Sequence, residues 1–397
     1  MSKTVYIHIP FCPKVCHYCD FAVLKASSLV HEQWFEAFQV EVLTKLEGGF
    51  AAIPRRGTSL DTLYFGGGTP SLLSIDLWTR LFEFISEIWD LSKLREMTVE
   101  VNPESLSLDK IELWRAKGVT RISMGVQSFD NEVLELLGRA YQVTILEQSL
   151  TLLQNSGLQF SLDLMFGLPG QSLKGFLSDL QRIVDVQPDH VSFYGLTIEE
   201  NTLFDQWRQK GKLAEPLDDE DLMYEQGVQL LLENNINRYE LSNFSQPGSE
   251  AIHNTKYWNQ EAYVGLGPGA HSYDGNVRTW NPKKLMEWMR EVSTLSTDLK
   301  SQETLSPKDQ LNELIWLSLR QVKGLNLGLE INFEFGGDVK SDDFPKIKIM
   351  KNYLDSKQES VDKFKDQQML KVENNHLKLT GRGWLMMDEI AIELFVA

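Results

Sequence analysis

Across its first two hundred residues the chain alternates six times between a short β-type run and a longer helical one. Strands read over residues 4–9, 63–65, 97–101, 121–126, 160–166 and 191–196. Helical period reads over 30–46, 77–88, 108–116, 131–137, 145–154 and 173–184. A strand that returns through a helix to another strand pairs parallel to it. Six such units predict an α/β fold, an incomplete (β/α)6 TIM-like barrel rather than a closed ring of eight. Chemistry in barrels of this kind gathers at the C-terminal ends of the strands.

The strand ends carry the unusual residues. All three cysteines of the 397-residue chain lie in Cys12-Pro13-Lys14-Val15-Cys16-His17-Tyr18-Cys19, just past the first strand. The C-x3-C-x2-C spacing brings three sulfurs together on one turn or loop and reads as a metal site. An odd count in so short a window argues against disulfides. Three thiolates are one ligand short of a four-cysteine zinc or iron–sulfur site. A zinc ion completed by His17 or His8 is the plainer alternative.

Gly66-Gly67-Gly68-Thr69-Pro70 follows the second strand. Glycines there let backbone approach a neighbour closely, although an ordinary tight turn also uses them. Glu100 stands near the end of the third strand and Gln127 ends the fourth. Arg139 follows in Leu137-Gly138-Arg139, and Asp163 sits inside the apolar run of the fifth strand. A carboxylate within an apolar strand needs a partner or a ligand. Taken singly, each of these residues suits a salt bridge or a turn; their joint position at strand ends points to one binding site.

Composition narrows the class. Apolar residues make up 42% and charged residues 24%, as in soluble globular chains. With 39 Lys and Arg against 56 Asp and Glu, the net charge is −17, which argues against a broad nucleic-acid surface. No apolar run approaches a membrane span. The first strand begins at once, so no targeting peptide is expected, and reduced cysteines without a signal point to the cytoplasm.

The cysteine motif and its neighbours resemble those of radical S-adenosylmethionine (SAM) proteins. The resemblance implies a 4Fe–4S cluster held by Cys12, Cys16 and Cys19, with its fourth iron chelated by SAM. It implies SAM contacts from Tyr6, Tyr18, Gly67, Gly68, Thr69, Glu100, Gln127, Arg139 and Asp163. Within the superfamily, Tyr6-Ile7-His8-Ile9-Pro10-Phe11-Cys12, Gly125-Val126-Gln127-Ser128-Phe129 and the segment 163–169 are similar to the oxygen-independent coproporphyrinogen III oxidase group. The likeness extends over nearly the whole chain.

That group contains the oxidase, which decarboxylates a porphyrinogen, and heme chaperones built on the same scaffold. Phe21 stands where the oxidase has a further cysteine, and the oxidase has a longer arm before the motif. His253-Asn254-Thr255-Lys256-Tyr257-Trp258 matches the chaperone signature. A His can supply an axial ligand to heme iron, and Tyr and Trp offer flat surface for a porphyrin. His253 is therefore the expected heme ligand; His271 is a second candidate whose plainer reading is structural. The chaperone reading implies heme as cargo, an acceptor heme protein of respiratory type and a possible homodimer. Tyr141 departs from relatives, which often carry His there.

The alternation ends after about residue 200. The expected organisation is a core domain over 1–235, a heme-binding or linking segment over 236–285, and a C-terminal accessory domain over 286–397. That last domain reads as mostly helical and winged-helix-like, with a charged helix–loop insertion over 338–368.

Overall fold

A computed structural model describes residues 2–50, 52–216, 218–294, 301–329 and 350–396. All six expected strands form, in order: β1 (Thr4–Ile9), β2 (Thr62–Gly67), β3 (Glu96–Val101), β4 (Arg121–Gln127), β5 (Gln159–Phe166) and β6 (His190–Gly195). Each pairs parallel to the next in sequence. The intervening helices are α1 (Ser28–Glu47), α2 (Ile75–Ile88), α3 (Leu108–Ala116), α4 (Asn131–Leu137), α5 (Val143–Gln154) and α6 (Leu173–Val186). Local chemistry sets their ends. Ser74, Ser107, Asp130 and Ser172 each accept a backbone N–H at a helix start.

The parallel strands divide their residues by parity. Val5, Ile7 and Ile9, then Leu63 and Phe65, then Ile122, Met124 and Val126 are fully buried against the helices. Phe65 packs edge-on to Trp78, and Trp78 edge-on to Trp114, which seats α2 and α3 on the sheet. Burying a side chain of this size contributes about 1.5–3 kcal/mol. The alternate positions carry polar groups instead. Thr62 and Tyr64, Thr98 and Glu100, Arg121 and Ser123, Ser161 and Asp163, Ser192 and Tyr194 face the barrel interior.

Beyond Gly195 come α7 (Leu203–Gln209), α8 (Glu220–Glu233), β7 (Asn237–Glu240), β8 (Asn243–Ser245), α9 (Ile252–Trp258) and β9 (Val264–Leu266). The main sheet thus has nine strands in the order β7-β8-β6-β5-β4-β3-β2-β1-β9. β8 joins β6 antiparallel, while β9 joins β1 parallel at the opposite edge. The segment expected to link two domains therefore supplies strands to both edges of the core sheet. Then follow β10 (His271–Tyr273), β11 (Val277–Trp280), α10 (Leu285–Ser293) and β12 (Gln302–Thr304), whose strands form a small antiparallel sheet.

The C-terminal part has α11 (Pro307–Leu319), β13 (Leu325–Asn326), α12 (Met350–Asp355), α13 (Gln358–Asp366), β14 (Leu370–Glu373), β15 (His376–Leu379) and α14 (Met387–Glu393). A capping box between Ser306 and Asp309 starts α11. Helices around the three-stranded sheet β13-β15-β14 give the winged-helix-like shape. Of the expected insertion, 338–349 lies outside the described residues and the remainder is helical.

Candidate functional site

The cysteine loop leaves β1 and is pinned at both ends. Cys12 donates its N–H to Leu24 and Leu24 donates to Pro10, at 3.0 and 2.8 Å. In between, the His17 N–H reaches the Leu137 carbonyl and the His17 carbonyl receives the Phe204 N–H. The three thiols are free and half-buried. They line one cavity of about 430 Å³ with Tyr18, Gly67, Gly68, Glu100, Gln127, Arg139 and Asp163. Seven of the nine expected cofactor contacts outside the heme motif thus meet the three cysteines in one space.

Tyr6 and Thr69 stand one layer back. Tyr6 turns its hydroxyl to His8 Nδ1 at 3.1 Å. Thr69 is buried, donates to Cys12 Sγ at 3.6 Å and receives the Asn102 amide at 2.8 Å. The glycine loop is tight because the protein itself fills the missing side chains. A Cβ on Gly67 would lie 2.5 Å from the His8 ring, and one on Gly68 would lie 2.7 Å from the Phe11 carbonyl. Gly67 also has φ +113°, a backbone conformation suited to glycine.

Glu100 is held by two donors, the Tyr64 hydroxyl at 2.7 Å and the Gly67 N–H at 2.9 Å. Burial raises its pKa, and those two donors oppose the rise. Asp163 is pushed up to about 7, first by burial and then by the Glu100 charge; the Ser192 and Ser123 hydroxyls oppose this. Burial likewise lifts the Cys12 thiol to about 12 and Cys19 to about 11. Such thiols are poor free nucleophiles, and a bound cation would remove their protons.

At the end of β4 the register against β5 shifts between Gly125 and Gln127, and Gln127 takes φ +65°. This bulge turns the Gln127 amide into the cavity, where its Oε1 accepts from Tyr194 at 3.2 Å. The hydroxyl of Tyr141 reaches the Gly125 and Val126 carbonyls at 2.8 and 2.9 Å, bracing the bulge from behind. Arg139 donates to Cys16 Sγ at 3.5 Å and to the Gly125 carbonyl at 3.2 Å, while its Nε is buried without a partner. Tyr194 and Asn102 were not among the expected residues. The signal for Tyr194 was the polar alternation of Ser192 and Tyr194 in a β-type run.

A second cavity of about 240 Å³ lies deeper in the barrel and shares Glu100, Ser123, Asp163 and Tyr194 with the first. Its floor is the segment carrying the His253 motif. Glu96 accepts the Ile252 and His253 N–H groups at 2.9 and 2.8 Å, which caps α9 from the sheet. His253 is fully buried, with Nδ1 on the Thr62 hydroxyl at 2.9 Å and Nε2 on the Tyr257 hydroxyl at 2.7 Å. Burial lowers its pKa to about 3, so it is neutral. In this structure both ring nitrogens of His253, the expected heme ligand, are hydrogen-bonded. Lys256 pairs with Asp61 and Glu261, and Trp258 lies under the Arg320 guanidinium at 4.3 Å. His271, the second candidate, is exposed.

Among the described residues, no three His, Cys, Asp or Glu side chains are gathered to hold a single metal ion. A lone zinc ion needs its sulfurs about 2.3 Å from one point. A cluster offers each cysteine a separate iron, so its thiols need not share a point.

Comparison with known proteins matches residues 6–183 to the radical SAM superfamily. The heme chaperone HemW of Bacillus subtilis is 34% identical over 328 residues, covering 82% of this chain and 85% of its own. The chain belongs to the HemW heme chaperone family. The HemW of Escherichia coli is 37% identical over 296 residues, covering 72% of this chain and 75% of its own. Among solved structures, the radical SAM coproporphyrinogen III oxidase HemN of E. coli superposes with a TM-score of 0.78. That superposition covers 99% of this chain and 90% of HemN at 21% identity, a likeness of fold.

Proposed function

We propose that this HemW-family chain binds heme and delivers it to an acceptor heme protein, and that it carries a SAM-chelated 4Fe–4S cluster. Cys12, Cys16 and Cys19 would hold the cluster, which when bound supplies one iron corner for a small chelating ligand and a site for one-electron transfer. The donor set fits: three thiols, a fixed cation and polar groups share one cavity. Arg139 would steady the Cys16 thiolate and still has Nε to give to a carboxylate. Asp163, Glu100 and Gln127 would take the ammonium and ribose hydroxyls of SAM. Tyr18 would pack beside SAM. Thr69 and Tyr6 act from behind, Thr69 on Cys12 and Tyr6 through His8.

One observation carries the chaperone reading over the oxidase: 34% identity to HemW across more than four fifths of the chain. The interior supports it. After a cluster and SAM take the cavity of about 430 Å³, what is left is a polar chamber of about 240 Å³. Drug-sized ligands already fill pockets of about 300–1,000 Å³. In this reading SAM and the cluster take the larger of these two cavities, and heme would sit outside the barrel.

Anaerobic incubation of the reconstituted protein with coproporphyrinogen, SAM and a reductant tests this. The expected result is unchanged porphyrinogen together with saturable heme binding. Loss of propionate carboxyls would reinstate the oxidase reading. Replacing Cys16 by Ser should lower iron and sulfide content several-fold; an unchanged iron content would remove the cysteines from the cluster.

A further inference from the structure

Heme held outside the barrel needs an iron ligand at the surface, and the identity of that ligand is a question that rests on the proposed function. The chain has seven histidines. His253 and His8 have both ring nitrogens engaged, His8 on the Tyr6 hydroxyl and the Ala22 carbonyl. His190 is buried against Tyr239. His17 spends Nδ1 on the Leu136 carbonyl and presses its other edge into the space where Gly138 lacks a Cβ. His31 is half-buried, stacked on Phe11 at 4.0 Å. His376 is half-buried at the hairpin between β14 and β15, with Nδ1 on the Asn374 carbonyl at 2.8 Å.

His271 is the one exposed histidine of the seven. Its ring is stacked on Trp280 at 5.9 Å, and it hydrogen-bonds to the Gly269 carbonyl. A histidine that gives one N–H to a backbone carbonyl has a fixed tautomer and a lone pair on the other nitrogen, which is how metal-bound imidazoles are oriented. Burial lowers its pKa, and the Arg278 and Lys283 charges add to this, so the imidazole is neutral near pH 7.

The platform beneath it is rigid. Gly267 N–H and the Asn281 amide both donate to the buried Glu41 carboxylate of α1, at 2.8 and 2.6 Å. Gly269 N–H reaches the Pro282 carbonyl and Asn281 N–H the Ala270 carbonyl. The same platform touches the end of the cysteine loop. A Cβ on Gly269 would lie 2.7 Å from the Ala22 Cβ, and Lys283 faces Asp20 at 3.9 Å. Next to Ala22, Phe21 is 65% exposed, a large apolar ring left in water. A free imidazole nitrogen, flat apolar rings and an exposed lysine match the three parts of heme: iron, macrocycle and propionates.

We propose that His271 is the axial ligand to heme iron, with Trp280 and Phe21 offering apolar surface and Lys283 pairing with a propionate. The site lies on the outer rim of the cysteine loop, where Phe21 also lines the SAM cavity.

The test is a heme titration of the full-length protein, followed by Soret absorbance and low-temperature EPR. It compares wild type with H271A and with H376A as a control at the C-terminal hairpin. The H271A variant should bind heme about tenfold or more weakly and lose the histidine-ligand signature, and added imidazole should restore that signature. The H376A variant should titrate like wild type. If H271A retains both affinity and ligand signature, the assignment is overturned while heme binding stands. If wild type shows no saturable binding, the chaperone reading falls with it.

Discussion

Asp163 shows how one residue serves the site at a cost to the fold. Its carboxyl sits at about 7 because burial, and then the Glu100 charge, disfavour ionisation. An acid whose folded pKa exceeds its unfolded value, about 4, binds more protons when folded. Its favourable contribution is full at low pH and is lost as pH rises from about 4 through 7. The D163N variant should therefore be more stable than wild type at pH 8 by about 1–3 kcal/mol in the ligand-free protein. The gap should close below about pH 4. Urea unfolding at both pH values checks this, and equal stability at pH 8 would show that the charge is compensated. The cysteines, Glu100, Gln127, Arg139 and Asp163 were legible because their chemistry is wrong for the apolar segments around them. His253 was legible as a motif but not as a buried group. Its partners Thr62 and Tyr257 come from β2 and from its own helix, and only the fold shows that they use both nitrogens.

At the scale of elements, the six parallel strands and their helices were readable within two residues at nearly every end. Strong period and capping serines give such segments local identity. β7, β8 and β9 were not read. They have three or four residues each, and their pairing with β6 and β1 is settled by tertiary contact rather than local pattern. The bulge in β4 was also silent, since a left-handed Gln127 follows from the packing of Tyr141 and Arg139. The glycine loop yields a sharp expectation. The G67A variant must move the His8 ring and strain a backbone at φ +113°. It should lose at least about 2 kcal/mol in denaturant unfolding. A loss below about 0.5 kcal/mol would mean the loop adapts freely.

For the whole molecule, α9 joins the core sheet to the C-terminal part of the chain. Glu96 and Arg121 hold α9 to the barrel floor, while Trp258 meets Arg320 at the end of α11. Arg320 in turn pairs with the fully buried Glu240 at 2.7 Å. Removing one partner of such a pair leaves an uncompensated charge. The R320M variant should lose about 3–5 kcal/mol in global unfolding, whereas R382M, at an exposed pair with Asp221, should lose under about 1 kcal/mol. Equal effects would deny the junction its role. In the proposed arrangement SAM and heme occupy separate places, SAM inside the barrel mouth and heme on its rim, with Phe21 between them. The most direct measurement is the EPR signal of the reduced, reconstituted cluster, titrated with SAM with and without saturating heme. SAM should perturb the signal at the same concentration, within about twofold, in both cases. Loss of the SAM response on heme binding would place both ligands in one cavity and contradict this arrangement.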